Sequence, residues 1–160
     1  MKVVIVGATG NAGTGILRAL HQTPEVTKIV GIARRLPDET VEPYEGCEWH
    51  SIDIAAASTA EDAVNQLTEV FRDAAAVIHL AWLIQPNDQR ELLRRVNVEG
   101  TRRVTEAVVA AEVPHLVCAS SVGAYSPDEE ARSTANPPLR DESFPARGIR
   151  SSHYSEDKGA

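Results

Sequence analysis

The chain has 160 residues and a formal net charge of −7, with 42% hydrophobic and 24% charged residues. This length fits one domain of roughly 100–200 residues, and the hydrophobic content excludes disorder as the main state. No apolar run approaches the roughly 20 residues that span a bilayer, and the acidic charge argues against nucleic acid as a partner. The two cysteines and five histidines have no metal-ligand spacing, so no metal site is expected. We expect a cytoplasmic protein without membrane segments.

Strand-like and helix-like patterns alternate along the chain. Short apolar runs predict five strands, at 2–8, 28–33, 49–54, 75–81 and 115–121. Apolar residues at steps of three and four predict helices at 12–22, around 64–71 and at 88–112. Because parallel strands are joined by crossover helices, this order predicts an α/β fold: a Rossmann-type doubly wound parallel sheet with strand order 3-2-1-4-5. Two further expectations are a buried Cys118 and a solvated helix face carrying Arg94, Arg95, Arg102 and Arg103.

A glycine-rich turn separates the first predicted strand from the first predicted helix. It runs from Gly7 through Thr9, Gly10, Asn11 and Ala12 to Gly13, with the spacing GxxGxxG. Glycine lets a pyrophosphate approach the backbone, and the helix N-terminus offers free N–H groups to it. A merely tight strand-to-helix turn is the alternative. The position of the glycine-rich turn at the first strand–helix junction favours a dinucleotide site over this alternative.

Two arginines indicate which dinucleotide this turn would bind. Arg34 and Arg35 follow the second predicted strand, about 20 residues after the last glycine, where an NAD site carries an acidic residue. Guanidinium groups favour a 2′-phosphate through bidentate, charge-assisted hydrogen bonds, whereas the alternative is two solvated surface arginines. The sequence therefore predicts NADP(H) in preference to NAD(H).

A tyrosine, a lysine and a serine are the candidates for catalysis. Tyr154 and Lys158 are four residues apart, so they share one face of a helix. An ammonium beside a phenol favours the phenolate, which suits the phenol to proton transfer nearer neutral pH. Ser121 ends the fifth predicted strand, and open α/β sheets bind ligands at the carboxyl ends of their strands.

Six ordered motifs resemble the short-chain dehydrogenase/reductase superfamily, specifically its extended branch, the NAD(P)-dependent epimerase/dehydratase family. Besides the glycine turn, they include Asp53-Ile54, His79–Trp82, the NxxGT motif beginning at Asn97, the serine stretch 120–125 and YxxxK from Tyr154 to Lys158. The resemblance implies that Asn97 supports the active site. This sequence departs from the family pattern at Asn11-Ala12, where a bulky apolar pair is common, and at Trp82, where a small residue is usual.

The resemblance also assigns residues to roles. The implied catalytic residues are Ser121, Tyr154, Lys158 and Asn97. The cofactor-binding residues expected from the turn, the arginines and the resemblance together are Gly7, Thr9, Gly10, Asn11, Ala12, Gly13, Arg34, Arg35, Asp53, Ile54, Leu80, Ala81, Trp82, Tyr154 and Lys158. Residues 122–153 are expected to form an active-site loop, and 154–160 the start of the catalytic helix.

The resemblance implies an oxidoreductase that acts on a hydroxyl or carbonyl group, in a sugar nucleotide or a similar small molecule, by tyrosine acid–base catalysis with hydride transfer. An NADPH-dependent reductase or dehydrogenase and a non-catalytic NADP-sensing regulator remain alternatives. Residues 1–160 are expected to be an incomplete NAD(P)-binding Rossmann domain that lacks the family's carboxy-terminal substrate domain and is inactive by itself. The full-length protein is expected to form a homodimer.

Overall fold

The computed structural model describes residues 1–56, 60–84, 89–128, 135–136 and 139–160. The strands are β1 Lys2–Val6, β2 Lys28–Ala33, β3 Glu48–Ser51, β4 Ala74–His79 and β5 Leu116–Cys118. The helices are α1 Asn11–His21, α2 Ala60–Phe71, α3 Arg90–Arg94, α4 Gly100–Ala110 and α5 His153–Lys158. A π-helical turn, Arg95–Glu99, connects α3 to α4, and a 3₁₀ turn follows β5 at Val122–Ala124.

The strands form one parallel sheet in the order β3-β2-β1-β4-β5, which confirms the predicted topology. β1 lies at its centre, and its side chains alternate between two cores. Val4 shares a core with Leu67 of α2 and Val104 of α4, whereas Ile5 shares the other core with Leu17 of α1. Helices therefore cover both faces, as a doubly wound sheet requires.

The predicted helix at 88–112 is interrupted in the structure, and its first residue lies outside the described residues. Within the described part, α3 and α4 are separated by the π turn, which holds Asn97. The Thr101 hydroxyl donates to the Asn97 carbonyl at 2.6 Å and also meets His79 Nε2 at 2.9 Å. Single π turns recur at functional sites, and this one is tied to the end of β4.

Two burial predictions were wrong. Cys118 is exposed because β5 is the edge strand and pairs only with β4 among the described strands. Arg103 is 8% exposed rather than solvated. Its Nη1 donates to the carbonyls of Ile54, at 2.8 Å, and Ala56, at 3.1 Å, so a long side chain satisfies backbone groups of the segment after β3.

The chain divides into two compact units. Unit 1 comprises Met1–Leu83 and Arg95–Ala119, and unit 2 comprises Ile84–Arg94 and Ser120–Ala160. The whole sheet belongs to unit 1, and α5 belongs to unit 2. Within the described ranges, no helix has the length and apolar character needed to cross a membrane.

Candidate nucleotide-binding and catalytic residues

The carboxyl ends of the central strands open into a cavity of about 250 Å³, which we call the glycine-turn cavity. Nine of the predicted cofactor-binding residues line it: Gly7, Thr9, Gly10, Arg34, Asp53, Ile54, Leu80, Ala81 and Trp82. Six further residues complete the lining: Val6, Ile32, Ala33, Ile52, Leu83 and Val96. A cleft at the carboxyl edge of a parallel sheet is the usual binding place for a dinucleotide.

Two glycines of the turn are required by close backbone approach. Gly7 has a φ of +88°, and a Cβ built on it would lie 2.7 Å from the backbone nitrogen of Ala81. A Cβ on Gly13 would lie 2.4 Å from the carbonyl oxygen of Ala8, so Gly13 lets α1 pack directly on the turn. Gly7 therefore shapes the cavity wall, whereas Gly13 is buried and serves packing.

The N-terminus of α1 fits a pyrophosphate. Gly10 is the N-cap with extended backbone, it provides no side-chain cap, and the first turn carries no acidic residue. Asn11 and Ala12 begin the helix and are exposed, although they do not line the cavity. The first backbone N–H groups of a helix have no intrahelical acceptor, so they are available to an anion, which the helix dipole also favours.

Arg34 and Asp53 place opposite charges on the wall of the same cavity. Arg34 is exposed, and no acidic side chain pairs with it in the part of the chain that the structure describes. The Asp53 carboxylate accepts from the N–H of Ala55 at 2.9 Å, which fixes the turn after β3. Arg35 is exposed and lies outside the lining. The structure thus distinguishes two arginines that the sequence treats alike.

Asn97 anchors the wall of the cavity through backbone contacts. Its side-chain oxygen accepts from the Leu83 N–H at 2.7 Å, and its amide nitrogen donates to the Leu83 carbonyl at 3.1 Å. Asn97 is only 3% exposed, so both hydrogen bonds are shielded from water. Its observed contact is with the segment after β4, and we therefore describe it as a positioning residue.

Arg103 supports the segment after β3, where Ile54 lines the cavity, and no sequence motif pointed to this role. We expect Arg103→Gln in the full-length protein to lower the free energy of unfolding by about 1.5–3 kcal/mol, because one buried and one partly buried carbonyl lose a charged donor. Arg102→Gln is the matched control, since that side chain is 59% exposed and should change stability by less than about 0.5 kcal/mol. Denaturant unfolding measures both, and equal losses would contradict the assignment.

Unit 2 brings the predicted serine and tyrosine together around Gly123. A Cβ built on Gly123 would lie 3.3 Å from Cε1 of Tyr154 and 3.4 Å from Oγ of Ser121. The Ser121 hydroxyl accepts from the Gly123 N–H at 3.1 Å, and no described residue accepts its own proton. Ser121 can therefore donate to a further oxygen. Tyr154 is 36% exposed, so its ring is reachable from solvent.

The short helix α5 is attached to this turn by Ser155. The Ser155 hydroxyl donates to the Gly123 carbonyl and accepts from the Ile149 N–H at 2.8 Å. Gly148 adopts a φ of +68°, and its N–H donates to the Ala124 carbonyl at 2.8 Å. Ser155 is 3% exposed, so the contact between the serine turn and the tyrosine helix is buried.

A second attachment of α5 is an ion pair with α3. Arg90 Nη1 donates to Asp157 Oδ2 at 2.7 Å, and Arg90 Nη2 lies 2.7 Å from Asp157 Oδ1. Arg90 Nη2 also lies 3.0 Å from Oε2 of Glu156. The hydrogen bond that Arg90 donates to Asp157 raises the pKa of the Arg90 guanidinium above its ordinary value. Arg90 lies outside every motif described above, and Asp157 is one of the three variable positions within YxxxK.

The structure thus places the predicted residues in two groups. Unit 1 holds the glycine turn, both arginines, Asp53, the segment after β4 and Asn97, whereas unit 2 holds Ser121, Tyr154 and Lys158. Leu83 and Val96 were missed because nothing in an apolar side chain distinguishes a cavity wall from a core. Tyr125, the last residue of the serine stretch, lies edge-on to Phe144 with ring centroids 5.8 Å apart.

The fold and the glycine-turn cavity define a Rossmann-type nucleotide-binding protein. Residues 3–157 match the NAD dependent epimerase/dehydratase family. L-arabinose 1-dehydrogenase (NAD(P)(+)) of Haloferax volcanii is 32% identical over 120 residues, which are 75% of this chain and 41% of that protein. The chain therefore belongs to the NAD dependent epimerase/dehydratase family.

Solved structures show the same fold. A short-chain dehydrogenase/reductase superfamily protein from Agrobacterium tumefaciens with bound NAD is 25% identical with a TM-score of 0.69, over 99% of this chain and 42% of that one. UDP-N-acetylglucosamine 4-epimerase from Bacillus cereus is 22% identical with a TM-score of 0.68, over 99% of this chain and 45% of that one. The chain thus spans less than half the length of each of these proteins.

Proposed function

We propose that the protein is an NAD(P)-dependent oxidoreductase that acts on a hydroxyl or carbonyl group of a sugar, a sugar nucleotide or a similar molecule. The observation that carries the proposal is the convergence of Ser121 Oγ and the Tyr154 ring on Gly123. A site that only holds a nucleotide has no use for Ser121, whereas acid–base chemistry on a substrate oxygen uses Ser121 and Tyr154 together. The glycine-turn cavity supports the same proposal, because its residues fit the phosphate end of a dinucleotide.

Each of the proposed site residues has a separate role in the reaction. Tyr154 takes the proton from a substrate hydroxyl, or returns it to a carbonyl oxygen, and Lys158 favours the phenolate by its positive charge. Ser121 donates a hydrogen bond to the same oxygen and stabilises the charge that develops there. The backbone N–H groups at the start of α1 hold the pyrophosphate. A bound nicotinamide supplies the hydride acceptor or donor for the carbon that is oxidised or reduced.

Net oxidation of a sugar is the second candidate, and the similarity to L-arabinose 1-dehydrogenase favours it. The full-length protein is incubated with sugars or nucleotide sugars and either NAD(H) or NADP(H). Stoichiometric change in cofactor absorbance indicates a dehydrogenase or reductase. An epimerised or dehydrated product with no net cofactor change indicates the recycled-cofactor reaction. Cofactor binding without turnover of any substrate would contradict the proposal and indicate a nucleotide sensor.

We also propose that NADP(H) is preferred to NAD(H), on the strength of Arg34. Removing its guanidinium in Arg34→Ala should raise the Kd for NADPH by about 10- to 100-fold, the loss expected for charge-assisted hydrogen bonds to a phosphate. The Kd for NADH should change much less. Arg35→Ala is the control, because Arg35 does not line the cavity. Equal weakening of both cofactors, measured by NAD(P)H fluorescence, would refute the preference.

A further inference from the structure

Asp157 is a buried carboxylate next to the proposed catalytic residues. Its side chain is 1% exposed. It directly precedes Lys158, and it stands three residues after Tyr154, so it lies about 5–6 Å from that side chain on the helix surface. A buried carboxylate is costly unless it is paired, and one in the last turn of a helix also meets the negative end of the helix dipole. We therefore expect the Asp157 carboxylate to be paired with a positively charged side chain.

Arg90 is that partner. Its Nη1 donates a hydrogen bond to Asp157 Oδ2, and its Nη2 lies 2.7 Å from Asp157 Oδ1 as an ion pair while it donates to Glu156. The other charges around α5 are arranged differently. Glu156 takes a third contact from Arg90 and lies 3.8 Å from Nδ1 of His153. Lys158 is on the helix itself, and the segment before α5 carries the exposed Arg147 and Arg150. In the part of the chain that the structure describes, Arg90 is the cation that forms an ion pair with Asp157.

The length of α5 makes such an attachment important. It has six residues, whereas isolated helices shorter than about 12–15 residues are marginal in water. Its orientation is therefore set by its buried attachments, Ser155 on the side of Gly123 and Asp157 on the side of α3. An orientation error would move Tyr154 and Lys158 together.

We propose that Arg90 is a positioning residue for the reaction of Tyr154 and Lys158: it fixes α5 and cancels the charge of Asp157 beside them. The inference rests on the proposed function. Without Arg90, an uncompensated carboxylate would favour the protonated forms of both neighbours. The pH midpoint of kcat/KM would then move to higher pH. A residue that only holds α5 in place would not cause this shift.

The test compares Arg90→Gln with Arg90→Gln/Asp157→Asn in the full-length protein, and Arg94→Gln on the same helix is the control because Arg94 is exposed. We expect Arg90→Gln to lower kcat by about 10- to 100-fold, whereas the Kd for cofactor should rise by no more than about tenfold, because the glycine turn is unchanged. The pH midpoint of kcat/KM should rise by about one unit, the effect of a nearby unit charge. The double variant should restore the midpoint, and Arg94→Gln should match the wild type.

The inference would be overturned if Arg90→Gln had the kcat and the pH midpoint of the wild type. It would also be overturned if kcat fell while the pH midpoint of kcat/KM stayed at the wild-type value in both the single and the double variant. If Arg90→Gln does not fold, Arg90→Lys decides the question. Lysine keeps the positive charge but cannot contact Asp157 through two nitrogens. We therefore expect kcat to fall while the pH midpoint of kcat/KM stays at the wild-type value, and an unchanged kcat would overturn the inference.

Failure of the proposed function is recognised separately, by a wild-type protein that binds cofactor and turns nothing over. Arg90 is then judged by amide hydrogen exchange. Exchange at residues 153–158 should accelerate by about tenfold or more in Arg90→Gln and not in Arg94→Gln, because a helix this short opens readily once an attachment is lost. Unchanged exchange would overturn the positioning role.

Discussion

Replacing Tyr154 by phenylalanine in the full-length protein is expected to lower kcat by about 10²- to 10⁴-fold, the usual contribution of a positioned general acid or base. The ring would remain against Gly123, because the ring carbons Cδ1 and Cε1 lie beside that residue and are kept in phenylalanine. Only the proton-transferring group would be lost. Steady-state turnover with the substrate identified by the cofactor assay measures the effect.

The cofactor should still bind to Tyr154→Phe. Loss of one hydroxyl hydrogen bond changes the Kd by no more than about tenfold, since such a bond contributes about 0.5–1.5 kcal/mol. Tyr125→Phe is the matched control: it removes a hydroxyl from a ring in the same unit that packs on Phe144. Turnover by Tyr154→Phe at the rate of the Tyr125→Phe control would remove Tyr154 from the reaction.

The second large effect concerns Gly7. An L residue with left-handed backbone pays about 1–2 kcal/mol, and forcing a methyl group into filled space costs about 1–3 kcal/mol. Gly7→Ala combines both costs, because its Cβ would meet the backbone of Ala81. We expect the free energy of unfolding to fall by about 2–5 kcal/mol and cofactor affinity to fall as the cavity wall moves.

Gly15 offers a control for this substitution within α1. It is exposed, and a Cβ there would meet nothing within 4 Å. Gly15→Ala should therefore raise the free energy of unfolding by about 0.5–1 kcal/mol, since glycine is unfavourable in a helix interior. Opposite signs for the two glycine-to-alanine variants in urea unfolding would support the assignment, and a neutral Gly7→Ala would contradict it.

The order of the elements could be predicted because buried strands and helices each require a local pattern of apolar residues, and such a pattern can be recognised in the sequence alone. β2 was predicted with its exact bounds, 28–33, and the sheet order follows from crossover connections. Strand ends were less predictable: β1 stops at Val6 because Gly7 takes a positive φ, whereas its apolar run continues to Ala8.

Interactions across long sequence distances were the part that the sequence could not supply. Arg103 and Arg102 are adjacent on one helix, yet only Arg103 reaches the carbonyls of Ile54 and Ala56. Likewise, Arg90 and Asp157 are 67 residues apart, and no local pattern relates them. The glycine turn was visible because a nucleotide site of this kind is built from consecutive residues.

The link between Asn97 and Leu83 has a consequence for how this protein can change. Both hydrogen bonds of the amide go to main-chain atoms of Leu83, and Leu83 is also one of the residues that line the cavity. A substitution at position 83 would keep both hydrogen bonds, because any residue except proline offers the same main-chain groups. Evolution or a protein engineer can therefore vary the residue at position 83 at small structural risk, whereas loss of the Asn97 amide would release Leu83.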